Sequence, residues 1–409
     1  MQTFIDFQQA LELTLSNVAA GEMQTLPLHR LVGKILASDQ TARVDCPSIS
    51  SSRKDGYAVV STDLTEAGDR KPVKLSLVGS VVAGDPPGMK IKSGQTVRIT
   101  TGACLPEGAD AVLSEEFCSR HENEVIAVNT AAVGRNITRQ GRDIRRGVTV
   151  AVKGWKLDPA QIGLLAAAGL DSAPVYRSPR VTVIATGDEV LLPGAPLTAG
   201  KLYASNLVEI CAWLSSIGLE YNTQLVPDHP EALQEAVRKN LSGTDVFFTS
   251  GGAWGSERDL ILAVLENMGW QGIYHRVRMG PGKPVAFGLL EQKPFFCLPG
   301  GPPSMEMAFL QLALPALLKM QGDHPVFFPT MTARLATTVY GKKDWTDFVH
   351  ARLENRDGQL IVHPARLEST LQSMAKKQAL IIIAQDCEEI SAGELLEIQL
   401  LPCSTGIER

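Results

Sequence analysis

A chain of 409 residues with 44% hydrophobic and 20% charged residues has the composition of a globular protein, long enough for roughly three domains. Its net charge of −5 carries no electrostatic footprint for nucleic acid or an anionic membrane, and no apolar run approaches the roughly 20 residues that span a bilayer. Seven cysteines, odd in number, scattered and never in a CxxC pair, argue against a disulfide framework or a zinc ribbon and for a reducing compartment. The opening Met-Gln-Thr-Phe-Ile-Asp-Phe lacks a basic region followed by an apolar core, so no signal peptide is expected and the predicted location is cytoplasmic.

Along the chain, Phe4, Phe7, Leu11, Leu15 and Val18 fall on one helical stripe, which predicts a helix over 3–18 with Thr3 as its N-cap. From about 45 to 145 short alternating runs are punctuated by Gly-Asp-Pro-Pro-Gly and Pro-Glu-Gly-Ala-Asp, the texture of a small β-rich domain. Residues 158–169 read as a capped helix closed by glycine. Packing of that helix with the first would make the β domain an insertion between them. From 179 to 320 the rhythm is βαβα: strands at 181–185, 245–249 and 295–298, and helices at 205–217, 230–241, 260–268 and 303–320. That alternation predicts a mostly parallel sheet covered on both faces, with ligands at the carboxyl ends of its strands. Residues 327–409 return to alternating strands and predict a small β domain.

The loops that carry chemistry lie at those strand ends. Thr249-Ser250-Gly251-Gly252 follows an apolar run and leads through Trp254 to Asp259 at a helix opening. Strand, glycine turn and helix direct backbone N–H groups at an anion, and the glycines permit close approach. Thr186-Gly187-Asp188-Glu189 and Leu298-Pro299-Gly300-Gly301-Pro302-Pro303-Ser304 end two other strands, and Met279-Gly280-Pro281-Gly282-Lys283-Pro284 presents one lysine from a rigid turn. Each alone reads as a cap or a solvated loop. Together they put phosphate-cradling amides, a cation and carboxylates around one sheet edge, a set suited to an anionic ligand with a divalent metal such as Mg²⁺. The β domain adds Lys54-Asp55-Gly56-Tyr57-Ala58, Thr100-Thr101-Gly102-Ala103 and Gly141-Arg142-Asp143-Ile144, where two aspartates are flanked by Arg53, Lys54, Arg142, Arg145 and Arg146. No histidine has metal-ligand spacing to another His or Cys, and no GxSxG, GxxxxGK[ST] or GxGxxG follows a strand.

In these motifs, and in Pro106-Glu-Gly-Ala-Asp-Ala-Val112 and Ser205-Asn206, the chain resembles the MoeA family, the molybdopterin molybdenumtransferases, and is similar to the E domain of gephyrin nearly end to end. The resemblance implies an α/β plus β multidomain protein. A discontinuous helical domain (1–45 and 146–178) would carry a β-rich insertion (46–145), followed by a central three-layer α/β molybdopterin-binding domain (179–325) and a C-terminal β domain (326–409). It implies a homodimer with a site shared between subunits. It also implies transfer of molybdenum from molybdate to adenylylated molybdopterin, with metal-dependent pyrophosphate cleavage and release of AMP. Asp55, Thr101, Asp143, Glu189, Asp228 and Asp259 would be catalytic, with Asp55, Asp143, Glu189 and Asp259 holding Mg²⁺. Ser250, Gly251, Gly252, Lys283, Pro299, Gly300, Ser304 and Ser369 would hold the pterin and the oxyanion. A molybdopterin adenylyltransferase and recipient molybdoenzymes are the implied partners, with no nucleic acid and no membrane.

The chain departs from the family pattern at several places. Arg53-Lys54 replace Ala-Met, Gly280 replaces a lysine, Gly301 an asparagine and His350 an arginine, and Ala253-Trp254-Gly255-Ser256 replace half of the glycine loop. The expected serine falls at or next to Glu368-Ser369. The carboxylates are retained while the oxyanion cluster is thinned, and Arg53, Lys54 or His350 is the expected compensation. Two alternatives stand beside the transferase: a non-catalytic molybdopterin-binding or scaffold protein, and a paralogue inserting tungsten.

Overall fold

The first helix starts later than its pattern predicts. Asp6, not Thr3, is its cap: the Asp6 carboxylate accepts the Gln9 N–H at 2.8 Å, and helix α1 runs Phe7–Ser16. Gln2–Asp6 instead forms strand β1, because a parallel neighbour strand at residues 271–280 supplies the backbone partners that a helix N-terminus leaves unmet. Phe4 leaves the helical stripe with a φ of +57°. The inner face of α1 buries Ala10, Leu11 and Thr14, and the Thr14 hydroxyl meets the buried Tyr274 hydroxyl at 2.7 Å.

The computed structural model describes residues 1–251, 260–324, 327–365 and 369–401. They form two units. The smaller comprises Thr25–Val32 and Ser38–Pro174, and the larger Met1–Gln24, Gly33–Ala37 and the chain from Val175 onward.

The smaller unit is built on a six-stranded sheet of β2 (Gly56–Val59), β3 (Val73–Val81), β4 (Gln95–Ile99), β5 (Ala111–Ser114), β6 (Cys118–His121) and β7 (Glu124–Ala127), in the order β5-β2-β4-β3-β7-β6. Only β3 and β4 pair in parallel. Strand β2 is buried along its whole length. Tyr57 and Val59 enter one core and Ala58 another, which is why the run reads as continuously apolar. Helix α2 (Pro159–Ala167) belongs to this unit, and Asp158 and Gln161 close a reciprocal capping box at its start.

In the larger unit, β8 (Val181–Thr186), α3 (Ser205–Ser216), β9 (Tyr221–Val226), α4 (Pro230–Asn240), β10 (Val246–Ser250) and α5 (Leu260–Asn267) keep the expected βα alternation. They lead into β11 (Gln271–Gly280), β12 (Ala286–Leu290), β13 (Lys293–Leu298) and α6 (Pro302–Ala308). The sheet order is β9-β8-β10-β13-β12-β11, parallel across the first four strands. Adjacent phenylalanines on β10 point to opposite faces. Phe247 stacks on Phe295 at 5.2 Å in the core under α4 and α5, and Phe248 on Phe296 at 5.4 Å in the core under α1, α3 and α6. The result is the expected three-layer arrangement. From the neighbouring strands β8 and β10 the chain leaves toward opposite faces, to α3 and α5, so a crevice opens at their carboxyl ends.

The helix expected over 303–320 is continuous but not regular. Between α6 and α7 (Leu314–Met320) lies a π-helical segment, Phe309–Ala313. Pro315 has no N–H to give the carbonyl four residues back, and the wider turn accommodates it. The strands β14 (Thr330–Leu335), β15 (Thr346–Arg356), β16 (Gln359–Pro364), β17 (Ala379–Ile383) and β18 (Leu395–Leu400) build their own apolar core, and α8 (Thr370–Lys376) lies between β16 and β17 in the chain. Their sheet is nevertheless continuous with the α/β sheet, because β11 pairs with β15 at Met279–Thr346 and Gly280–Asp347.

Candidate active site

Strands β8 and β10 end at Thr186 and Ser250, and each is followed by a glycine. Gly251 has a φ of +113°, and a Cβ there would lie 2.7 Å from the Thr186 carbonyl oxygen. Both the conformation and the approach require glycine. Gly251→Ala is therefore expected to cost about 1–3 kcal/mol of stability and to weaken ligand binding, checked by thermal melts with and without ligand. The glycine turn after β13 lies against this one: a Cβ on Gly300 would stand 3.7 Å from the Gly251 Cα.

Around these turns lies a cavity of about 500 Å³. Thr186, Glu189, Ser250, Gly251 and Gly300 line it on one side, and Leu202, Tyr203, Leu207 and Leu371 give it an apolar wall. Asn206, at the start of α3, donates to the Gly300 carbonyl at 2.8 Å. That leaves its own Oδ1, and the Thr186 Oγ1, buried without a hydrogen-bond partner among the described residues. Buried polar atoms are rarely left unmet in a native fold, so these two mark a place for a polar ligand group.

A second cavity, of about 450 Å³, is lined by Arg276, Gly280, Lys283, Ser304 and Trp345, among others. Its cations rest on ring faces. The Arg276 guanidinium lies 5.6 Å and Lys283 Nζ 5.0 Å from the Phe4 ring centre, Lys283 Nζ lies 5.8 Å from Trp345, and Lys342 Nζ lies 3.8 Å from Trp345. A side chain at position 280 would collide with the Asp347 carboxylate, which accepts the Lys342 N–H at 2.6 Å. A side chain at this position would require Asp347 to turn aside.

In the smaller unit Asp55 is exposed, and its Oδ1 accepts from Thr101 twice, from N–H at 2.7 Å and from Oγ1 at 3.0 Å. Those bonds, the backbone one foremost, hold the carboxyl below its ordinary range. Asp143 is also exposed, on a loop tied to Cys46 through its own N–H at 3.0 Å. Sequence reasoning missed Asp45, whose carboxylate accepts the Arg146 N–H and the Gln140 amide, each at 2.8 Å, and so shapes the loop carrying Asp143.

The remaining expected positions are distributed as follows. Asp228 is exposed at the end of β9, its N–H directed to Asp188 Oδ1 at 3.3 Å. Pro299 is buried beside Gly300. Ser369 caps α8 by accepting from Gln372, and its neighbour Leu371, not Ser369, reaches the first cavity. His350 is not open to an oxyanion: its Nε2 is 3.0 Å from the fully buried Glu306 carboxylate, and its side chain is 12% exposed. Gly252 and Asp259 lie outside the described residues. Among the described residues no three His, Cys, Asp or Glu side chains converge as ligands for one metal ion. Asn206 belongs to the Ser205-Asn206 motif, whereas Arg276 and the apolar wall carried no motif and are brought in by the folding of the chain.

The match to known proteins runs along the whole chain. Residues 5–169 match the MoeA N-terminal region (domain I and II), 182–319 a probable molybdopterin binding domain, and 332–401 the MoeA C-terminal region (domain IV). A molybdopterin molybdenumtransferase of Haemophilus influenzae is 32% identical over 406 residues, covering 95% of this chain and 98% of that protein. The chain belongs to the molybdopterin molybdenumtransferase family. Its relative of the same name from Synechococcus elongatus is 30% identical, covering 97% of this chain and 100% of that one. The crystal structure of a molybdopterin biosynthesis MoeA protein from Pyrococcus horikoshii superposes with a TM-score of 0.85 at 30% identity, covering 97% and 99% of the two chains. The family's probable molybdopterin binding domain contains the strand ends and glycine turns of the first cavity, with Asn206 and Thr186.

Proposed function

We propose that this chain transfers molybdenum from molybdate to adenylylated molybdopterin, with cleavage of the pyrophosphate and release of AMP, as a cytoplasmic enzyme of molybdenum cofactor biosynthesis. The observation that carries the reading is the first cavity. It sets an apolar wall for a flat ring system against backbone turns at Ser250–Gly251 and Gly300, with two buried polar atoms unmet among the described residues. Arg276 and Lys283 in the second cavity supply positive charge for a tetrahedral oxyanion, in a position that Gly280 and His350 do not fill.

The carboxylates fit a hard divalent cation such as Mg²⁺ by donor type, since Asp55 stays ionised and is exposed. Asp55, Asp143, Glu189 and Asp259 would hold it. Bound there, the cation supplies charge neutralisation at the pyrophosphate. Thr101 holds Asp55 through two hydrogen bonds. Ser250 and Gly300 orient the substrate from the strand ends. We further propose a homodimer in which Asp55, Thr101 and Asp143 of one subunit serve the site with Glu189, Asp228 and Asp259 of the other. A molybdopterin adenylyltransferase would supply the substrate, and molybdoenzymes would take the product.

The test is incubation with adenylylated molybdopterin, Mg²⁺ and either molybdate or tungstate, following AMP. Release that needs both the cation and the oxyanion supports the transferase, and preference between the oxyanions assigns the metal. Tight binding of the substrate without AMP release would leave the scaffold reading in its place.

A further inference from the structure

A charged cluster outside both cavities joins the elements that shape them. Glu306, two residues past Ser304 on α6, has a fully buried side chain. Its Oε2 stands 3.0 Å from His350 Nε2 on β15, and its Oε1 pairs with Lys377, immediately after α8. Lys377 also donates to the Met374 carbonyl at 2.8 Å. From α3 the half-buried Glu209 shares a hydrogen bond with the Glu306 carboxyl.

Two carboxyl groups in hydrogen-bond contact, one of them fully buried, cannot both ionise without a cost. Burial raises the Glu209 carboxyl, and the adjacent Glu306 raises it further. Burial alone would raise Glu306 too; the His350 hydrogen bond, the Lys377 charge and the bond from Glu209 reverse this and hold it low. With the Glu209 carboxyl raised and Glu306 held low, the pair is arranged to share one proton. The charges facing this pair are Lys377 from the end of α8 and His350 from β15, with Trp213 bonding Glu209 from within α3.

The three helices that meet here also wall the first cavity. Asn206 precedes Glu209 by three residues on α3, Pro302 precedes Glu306 by four on α6, and Leu371 lies on α8. We propose that Glu306 is a positioning residue: through the proton it shares with Glu209, it fixes α3 against α6 and α8 and so sets the shape of the substrate cavity. When that proton leaves to solvent, two carboxylates repel across the α3–α6 contact and the cavity loses its fit. The identity of the substrate rests on the proposed function; the proton and its effect on the fold do not.

The sign follows from the direction of the shift. A carboxyl whose folded value is raised contributes stability that is fully present below its ordinary range and is lost as pH rises through the raised value. Melting temperature and the KM for adenylylated molybdopterin are measured from about pH 6 to about pH 9 for wild type, Glu209→Gln and Glu306→Gln, with infrared difference spectra over the same range. In wild type KM is expected to rise about tenfold with kcat changing less than about twofold, the melting temperature to fall, and the carbonyl band of a protonated carboxyl to disappear. Glu209→Gln imitates the protonated state, so it should keep the low-pH KM throughout, with a flat melting profile and no titrating band. Glu306→Gln leaves Lys377 without its carboxylate and should melt lower at every pH. Wild-type pH dependence retained in Glu209→Gln would assign the titration to His350 or another group and overturn the proposal. Absence of the band in wild type would overturn it independently of any activity. Failure of AMP release with the band and melting behaviour intact would instead overturn the proposed function alone.

Discussion

Asp55→Asn is expected to abolish AMP release, by about a thousandfold or more, while moving the melting temperature by no more than about 2 °C. The Asp55 Oδ1 accepts both Thr101 bonds, at 2.7 and 3.0 Å, and an asparagine oxygen can accept the same pair. The turn is thereby kept and the negative charge removed. Because the Thr101 bonds depress the Asp55 carboxyl, its contribution to the fold is present above the ordinary carboxyl range and is lost as pH falls through the depressed value. At neutral pH wild type is thus fully ionised, and the substitution removes a whole charge from the proposed cation site. Subunit mixing extends the test. An equimolar mixture of Asp55→Asn with Glu189→Gln, each inactive alone, should recover about a quarter of wild-type activity after exchange, since half of the dimers are mixed and each of those has one intact site. Full activity of Asp55→Asn would remove the residue from the mechanism. Absence of recovery despite demonstrated exchange would place both carboxylates in one subunit's site.

The parts of the fold that were legible in the sequence are those set by local periodicity. The run at 181–185 and the pair Phe247 and Phe248 read as strands buried on both faces, and the structure puts successive side chains into separate cores. The glycine turns were legible for a similar reason: Gly251 is required by a backbone position that no other residue adopts cheaply. What escaped depends on partners distant in sequence. Thr3 and Phe4 carry a helical pattern, yet β11 lies alongside and draws them into a strand. Ser369 also caps a helix, accepting the downstream Gln372 N–H, a role that no motif announced. Gly280 looked like a lost cation, and only the register with β15 reveals Asp347 occupying the space. The Glu306 cluster gathers residues from α3, α6, β15 and the end of α8, and no spacing rule connects positions 209, 306, 350 and 377.

Neutralising either cation of the second cavity is expected to raise the molybdate concentration for half-maximal turnover by about 10- to 100-fold, the effect of losing one charge-assisted hydrogen bond of about 1.5–3 kcal/mol. The variants are Arg276→Gln and Lys283→Met, and the KM for adenylylated molybdopterin should move less than about threefold in each. The sequence suggested Arg53, Lys54 and His350 as compensation for the thinned oxyanion cluster, and Arg276 is a further candidate. His350 Nε2 lies 3.0 Å from the buried Glu306 carboxylate, so this side chain is not presented to an oxyanion. Arg53 and Lys54 lie in the smaller unit, beside Asp55. Arg276 lines the same cavity as Lys283 and lies over the same Phe4 ring. A guanidinium stays charged at every working pH, so the affinity ratio between wild type and Arg276→Gln should be constant from about pH 6 to about pH 8. A histidine in that role would instead tighten molybdate binding as pH falls. Arg276→Lys should recover part of the loss, because a point charge restores attraction but not the planar fork. Lys54→Met serves as the control and should leave the molybdate requirement unchanged. If Arg276→Gln leaves half-saturation where it was while Lys54→Met shifts it, the oxyanion is held by cations of the smaller unit and the second cavity has another occupant.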